Sequence, residues 1–361
     1  MTDKFTDIIK NKKTIYITVK NADYIRTLQF GRLLKEYASA WFIVSSEKSN
    51  PLTRACDVKK KLKDVDLTSY DVVIVGFLPQ LIWKYIKRKL KFKSNNRAES
   101  SSNDNPAPSL NNNPVLVADF FLSLYDTIVL DRKYIGTSNP IAKCLRHMDR
   151  RVLKTADLVL TDTRADADFF AKEFSVTSQM VPLYLEADRS IYKPNIGNDD
   201  YFARKEREYL KDEKSFSVLY FGTGLPLQGI DIVIKAYLLL AEKYRDYDMH
   251  LTFIGGCDES LKTKAEGFSF IEMISWLPQD KLSERISSAD LCLAGHFSDD
   301  EGKANRTIPG KAFIYEAMNK KMILGDSIAN HEVFKEDEYH HFVKRGDERA
   351  LAAAIEEFLD N

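Results

Sequence analysis

Short apolar runs alternate along this chain with longer segments in which apolar residues recur every three or four positions. The runs Thr14–Val19, Trp41–Ser45, Asp71–Phe77, Val115–Phe120 and Leu158–Thr161 predict strands in the first half. Ser217–Phe221, His250–Ile254, Phe268–Met273, Leu291–Ala294 and Met322–Leu324 predict strands in the second. Near-continuous apolar runs of this kind, joined by helical patterns, belong to parallel strands covered on both faces. The series occurs twice, once on each side of residue 190, which predicts two doubly wound α/β domains.

Val181 to Pro194 reads as a connector, and a charged helical pattern, Asp199–Lys214, follows it. The predicted division is a first domain over 1–185, a linker over 186–215 and a second domain over 216–361. Residues 94–114 (SNNRAESSSNDNPAPSLNNNP) hold almost no large apolar group. They predict a disordered surface loop, an inert insertion rather than a lid.

Composition adds limits. The 361 residues are 44% hydrophobic and 29% charged, enough for two ordinary cores. No run of about 18 apolar residues occurs, so no membrane-spanning helix is predicted, and the opening MTDKFTDIIKNKK has no apolar signal core. Cys56, Cys144, Cys257 and Cys292 lie far apart, a pattern that fits a reducing cytoplasm and argues against disulfides or zinc. The zero net charge hides an asymmetry. Residues 1–180 hold 30 Lys and Arg against 20 Asp and Glu, which leaves 23 against 33 for the rest. A basic first half suits an anionic membrane face or lipid phosphate; the alternative is ordinary surface composition. Leu81–Lys93 (LIWKYIKRKLKFK) could lie on such a surface, but Trp83, Ile86 and Leu90 have the spacing of a core-facing helix. No motif for reading a nucleic-acid groove is present.

The stretch from Ala304 to Met318 carries the most specific chemistry. Lys303, Arg306 and Lys311 crowd a predicted helix start at Pro309 and Gly310, and Glu316 follows. A helix amino end offers unpaired N–H groups and partial positive charge, which suits a phosphate, and a carboxylate can accept from sugar hydroxyls. Arg306 and Lys311 are the candidate diphosphate contacts, with Lys303 beside them. Gly222, Gly224 and Gly256 follow strand ends and let backbone approach a ligand closely. His296 lies on the loop that leads to the cations and could touch the donor sugar; a loop histidine without a role is the other reading. In the first half Asp119 and Asp126 stand at and just beyond a strand end. Each is a candidate for orienting the sugar or acceptor, or else a helix cap. Asn21, Asp23, Tyr24 and Arg26 follow another strand end and are candidates for the acceptor side. No histidine spacing predicts a metal site, and no nucleophile elbow appears.

The second half resembles the retaining glycosyltransferases of family four. Four motifs carry the likeness, in the order found in that family: Tyr220-Phe221-Gly222-Thr223-Gly224 through Gln228-Gly229-Ile230-Asp231; Phe253-Ile254-Gly255-Gly256; Trp276-Leu277-Pro278 through Ala289-Asp290-Leu291; and Ile308-Pro309-Gly310-Lys311 through Glu316-Ala317-Met318, then Lys321 to Ser327. Arg150 to Thr163 adds a weaker match in the first half, and a subgroup with an Ile-Pro-x-Lys donor loop is similar. The resemblance implies the GT-B fold, two facing doubly wound Rossmann-like domains with a cleft between them. It implies a UDP- or GDP-sugar as substrate, no cofactor, no metal requirement and retention of configuration. A glycan or lipid-linked acceptor implies surface polysaccharide or glycan assembly in the cytoplasm, at the inner face of the membrane. By the same resemblance Glu316 would hold the ribose. The family often places an Arg and a Lys in the first glycine loop, where this chain has Thr223 and Gln228, and an acid where it has Ile308. Lys303, Arg306 and Lys311 are expected to restore that charge. The alternatives are an inactive GT-B partner subunit and a nucleotide-sugar 2-epimerase. The chain ends soon after the helical pattern Arg349–Leu359, whereas many relatives continue with a tail that crosses back to the first domain.

Overall fold

A computed structural model describes residues 3–100, 113–194, 216–244, 249–299 and 302–359. Contacts divide the chain into Met1–Leu185 and Glu186–Asn361. The first unit holds a six-stranded parallel sheet: β1 (Lys13–Thr18), β2 (Ala40–Val44), β3 (Val72–Gly76), β4 (Val115–Asp119), β5 (Leu158–Thr161) and β6 (Met180–Pro182). Its order is β2-β1-β3-β4-β5-β6. The second unit holds β7 (Phe216–Phe221), β8 (Met249–Ile254), β9 (Ile271–Ile274), β10 (Leu291–Gly295), β11 (Lys321–Gly325) and β12 (His340–Val343). Its order is β12-β11-β10-β7-β8-β9, again all parallel. The expected pair of doubly wound sheets is therefore present.

Alternation along the first sheet shows why helices cover both faces. Ile15, Ile17, Val73, Val75, Leu116 and Ala118 enter one core with Val58, Ile86, Val152 and Phe170 from the helices. Their neighbours Tyr16, Val72, Ile74 and Val117 enter the opposite core with Phe5, Phe30 and Leu34. With neither face in water, the inner strands β1, β3 and β4 carry no polar alternation, whereas the edge strand β2 leaves Trp41 and Phe42 exposed. In the second unit Val218, Tyr220, Leu251, Phe253 and Leu293 pack against the helices Ile230–Lys243 and Glu348–Leu359.

The helix Trp83–Ser100 begins with Trp83, Ile86 and Leu90 in the first core, at 1%, 0% and 8% exposure. Each such burial stabilises by about 1.5–3 kcal/mol. The apolar face of this segment is thus occupied by protein, and the surface-lying alternative loses the face it would insert. The helix also continues through Ser94–Ser100, the start of the segment expected as a loop; residues 101–112 lie outside the described residues. So do 195–215, which take in the expected helix Asp199–Lys214 and most of the linker. Among the described residues no helix is long and apolar enough to cross a membrane.

Candidate functional site

The carboxyl ends of β7 and β8 bring two glycine segments together. The Gly222 N–H donates to the Ile254 carbonyl at 2.9 Å, and Gly255 N–H to Ile274 at 2.7 Å. Gly255 has φ +145°, and a Cβ there would stand 1.9 Å from the Gly222 carbonyl oxygen. Only glycine permits that approach. A Cβ on Gly224 would meet the Gly256 carbonyl oxygen at 3.5 Å, while one on Gly256 would meet nothing within 4 Å. Gly222, Gly224 and Gly256 are therefore assembled as one backbone-lined edge.

Lys311 completes this edge from below. The helix Gly310–Ala317 starts after an extended Pro309, so Lys311 lies in its first turn. The Lys311 ammonium donates to Gln228 Oε1 at 2.7 Å and lies 3.8 Å from the centre of the Tyr220 ring. A Cβ on Gly222 would be only 2.9 Å from Lys311 Nζ. Lys311 is 5% exposed and has no carboxylate partner among the described residues. Burial holds its pKa well below the usual lysine value. A buried cation that meets one amide oxygen and the Tyr220 and Phe221 rings, the latter at 6.0 Å, is short of counter-charge, and an arriving anion supplies it.

Gln228 explains how the lysine is aimed. Its Oε1 also accepts from the Tyr220 hydroxyl at 3.3 Å, so the amide bridges the glycine loop to the helix amino end. Sequence reasoning counted Gln228 only as a lost cation and passed over Tyr220. The signal was the departure from the family pattern itself, since the side chain replacing a loop lysine has to meet whatever restores the charge.

His296 follows β10 at 4% exposure, and its Nδ1 is buried without a partner. Burial and the cations Lys311, Lys303 and Arg345 push its pKa down to about 3. The imidazole is neutral at any physiological pH, with one ring nitrogen left over. Lys303 and Arg306 are half-buried on the short helix Lys303–Arg306, and each already has a polar or charged partner.

Glu316 is not brought to this cluster. It is the seventh residue of an eight-residue helix, about 7 Å along the axis from Lys311. The helix descends from the glycine loops toward the start of β11. There the exposed Glu316 carboxylate meets His340 Nε2 at 2.7 Å, and His340 Nδ1 meets Asp337 at 2.8 Å. The expected ribose contact is thus at the other end of the helix, in a surface histidine–acid group. Among the described residues no group of three or more His, Cys, Asp or Glu is placed to hold a metal ion.

In the first unit, two candidates expected as separate ligand contacts form one buried pair. Arg26 donates to Asp119 Oδ1 through Nε at 3.1 Å and Nη2 at 2.8 Å, and both side chains are fully buried. Tyr16 donates to the other oxygen at 3.4 Å, and Arg26 also reaches the Leu183 carbonyl. Asp119 thus lies in the core with both of its oxygens accepting, Oδ1 from Arg26 and Oδ2 from Tyr16. Asp126, 2% exposed, opens the turn Asp126–Asp131, and its N–H donates to Ser123 Oγ at 3.0 Å. Behind it Asp149 accepts from Ser123 Oγ, Gln80 Nε2 and the N–H groups of Leu124 and Tyr125. Asp126 thus belongs to a buried capping network. Asn21 donates to Asp23 in the exposed loop after β1, and Tyr24 packs against Phe77, ring centres 5.2 Å apart.

Residues 215–361 match a family model described as Glycosyl transferases group 1, which spans nearly all of the second unit's described part. No curated protein matches the chain. Among solved structures, sucrose-phosphate synthase from Thermosynechococcus elongatus is similar with TM-score 0.62 at 11% identity, covering 97% of this chain and 90% of that one. Anabaena HepE, in complex with UDP and glucose, gives 0.55 at 13%, covering 97% and 90%. A glycosyltransferase from Rickettsia africae gives 0.56 at 13%, covering 97% and 89%. At these identities the likeness fixes the fold: two six-stranded parallel α/β units, as in GT-B glycosyltransferases.

Proposed function

We propose that the chain is a glycosyltransferase that takes a sugar from a nucleotide diphosphate and transfers it, with retention, to a hydroxyl acceptor. One observation carries this reading: Lys311, buried and without a counter-ion among the described residues, sits against the glycine loop at a helix amino end. The leaving diphosphate gains negative charge in the transition state, and an ammonium already in place meets it without reorganisation. The sugar then carries oxocarbenium character, as in glycoside hydrolysis. Neutral His296 offers an uncharged nitrogen to a sugar hydroxyl, and the exposed edge at Gly256 leaves backbone open to the donor. The positive charge that meets the leaving group comes from Lys311 and the helix rather than from a divalent ion, so a chelator leaves turnover unchanged. The match of the second unit to a glycosyltransferase family and a neighbour in complex with UDP favour a uridine donor. Assembly of a surface polysaccharide or glycan on a lipid carrier is the setting this chemistry suits.

The test is calorimetry with UDP and GDP, followed by product analysis with their sugars. UDP binding that Lys311→Ala weakens, with a turnover loss of about a hundredfold, supports the assignment. Wild-type turnover in Lys311→Ala removes Lys311 from the mechanism. Absence of binding to either nucleotide favours an inactive subunit, and a changed sugar without any acceptor favours an epimerase.

A further inference from the structure

The carboxyl edge of the first sheet carries a second group of side chains that the donor chemistry does not use. Three half-buried rings converge there from three strand-end loops: Tyr24 after β1, Phe77 after β3 and Phe121 after β4. Their centres are 5.2 Å (Tyr24–Phe77), 6.4 Å (Tyr24–Phe121) and 6.5 Å (Phe77–Phe121) apart. The Lys20 ammonium lies over two of them, 4.8 Å from the Tyr24 ring centre and 5.0 Å from that of Phe77. Lys20 has no ion-pair partner among the described residues. Its pKa is lowered by partial burial and then by nearby Arg54, against a smaller upward pull from Asp23.

The backbone at this edge is strained. Phe77 and Leu78 have φ of +41° and +65°, in consecutive non-glycine residues. A bulky side chain in the left-handed region is disfavoured and persists only where its surroundings impose it, often beside a ligand. The Phe77 ring lies beside Tyr24 and Lys20 at this point of the chain. Under the rings the floor is fixed, because the Arg26 guanidinium lies 5.4 Å from the Phe121 ring centre and is locked to Asp119. Open α/β sheets take ligands beyond the carboxyl ends of their strands. Apolar faces with one well-placed charge are the usual make-up of a small-molecule site.

We propose that this edge is a subsite for an anionic sugar. The C–H face of a pyranose packs on Tyr24, Phe77 and Phe121, while its carboxylate or phosphate reaches Lys20. Binding stands on this geometry alone; the role of that sugar as acceptor rests on the transferase reading. Lys20 then selects charged over neutral acceptors, and the rings set the affinity for any sugar.

The experiment uses the full chain and three probes at millimolar concentration, glucuronate, glucose 6-phosphate and methyl glucoside, followed by saturation-transfer NMR. UDP calorimetry runs in parallel as a control on folding and on the donor site. At least one charged probe is expected to bind about tenfold more tightly than methyl glucoside, as for a single charge-assisted contact. Preference for glucuronate identifies a uronate and preference for glucose 6-phosphate a sugar phosphate. Lys20→Met is expected to remove the preference, Phe77→Leu to weaken all three probes, and both to leave UDP binding unchanged. Equal binding of charged and neutral probes, a preference that survives Lys20→Met, or no binding while UDP still binds overturns the proposal. Loss of UDP binding and transfer in the wild type, with the sugar preference intact, sinks the transferase reading instead.

Discussion

A buried lysine that waits for an anion should take up a proton when the anion arrives. In the free protein, burial holds Lys311 well below its usual pKa, and among the described residues Gln228 and the Tyr220 and Phe221 rings offset its charge. One unit of negative charge about 4 Å away contributes about 4 kcal/mol at an effective dielectric near 20. That is worth about three pKa units in the opposite direction. Between the free and bound pKa values, UDP binding therefore consumes up to one proton, and affinity falls as pH rises through that window. Above about pH 8 the nucleotide phosphate is already fully ionised, so uptake there belongs to the protein. Calorimetry in buffers of different ionisation enthalpy reads the number directly. The wild type should show a fractional uptake that is largest between the free and bound pKa values of Lys311 and vanishes on either side, and Lys311→Met should show none. Losing the charge-assisted contact should weaken UDP by about 1.5–3 kcal/mol, or roughly ten- to hundredfold. The sign for stability follows the same logic. The unfolded chain holds this proton more tightly than the fold does, so ligand-free stability rises with pH below about 10.4, and Lys311→Met removes that rise. Zero uptake across the range, or equal uptake in Lys311→Met, refutes the argument.

Four further outcomes test the remaining assignments. Asp119→Ala strands Arg26 in the core and should lower stability by about 3–5 kcal/mol in urea unfolding; loss of turnover in a variant of unchanged stability would restore a substrate role for Asp119. Glu316→Gln should leave UDP affinity within about twofold by calorimetry, because its carboxylate rests on His340. Burial raises Asp149 to about 6 against four hydrogen bonds that pull it down, so the folded state binds that proton more tightly than the unfolded chain. Its contribution is full below about pH 3.8 and lost by about pH 6, roughly 3 kcal/mol in all, and Asp149→Asn should flatten that slope in unfolding measured across the window. Gln228→Lys sets two ammonium groups against each other and should weaken folding by about 4 kcal/mol, whereas adding Lys311→Gln should restore both stability and UDP affinity; strictly additive effects in this cycle would disprove the coupling.

What the sequence disclosed was local, and what it withheld depends on residues far apart in the chain. Interior strands were readable because both faces are covered, so β1, β3, β5, β7 and β10 appear as plain apolar runs. The edge strands Met180–Pro182 and His340–Val343 were missed. They are three and four residues long, partly exposed, and the second begins with two histidines. The polar residues Ser94–Ser100 were read as loop because their composition offers no core, yet they extend a helix whose first turns are anchored by Trp83 and Ile86. At the site, the helix start and the glycine loops were visible because their conformations are written in neighbouring residues. Arg26 and Asp119, 93 residues apart, looked like two ligand contacts because nothing local shows that they neutralise each other. Gln228 and Lys311 are 83 residues apart and looked like a loss and an unrelated surplus. In space the two facts are one. A cation on the loop and a cation on the helix would compete for the same few ångströms, so a chain that carries Lys311 here has reason to carry an amide at 228. The departure from the family pattern is then the complement of the charge that replaces it, and the two positions should be altered together.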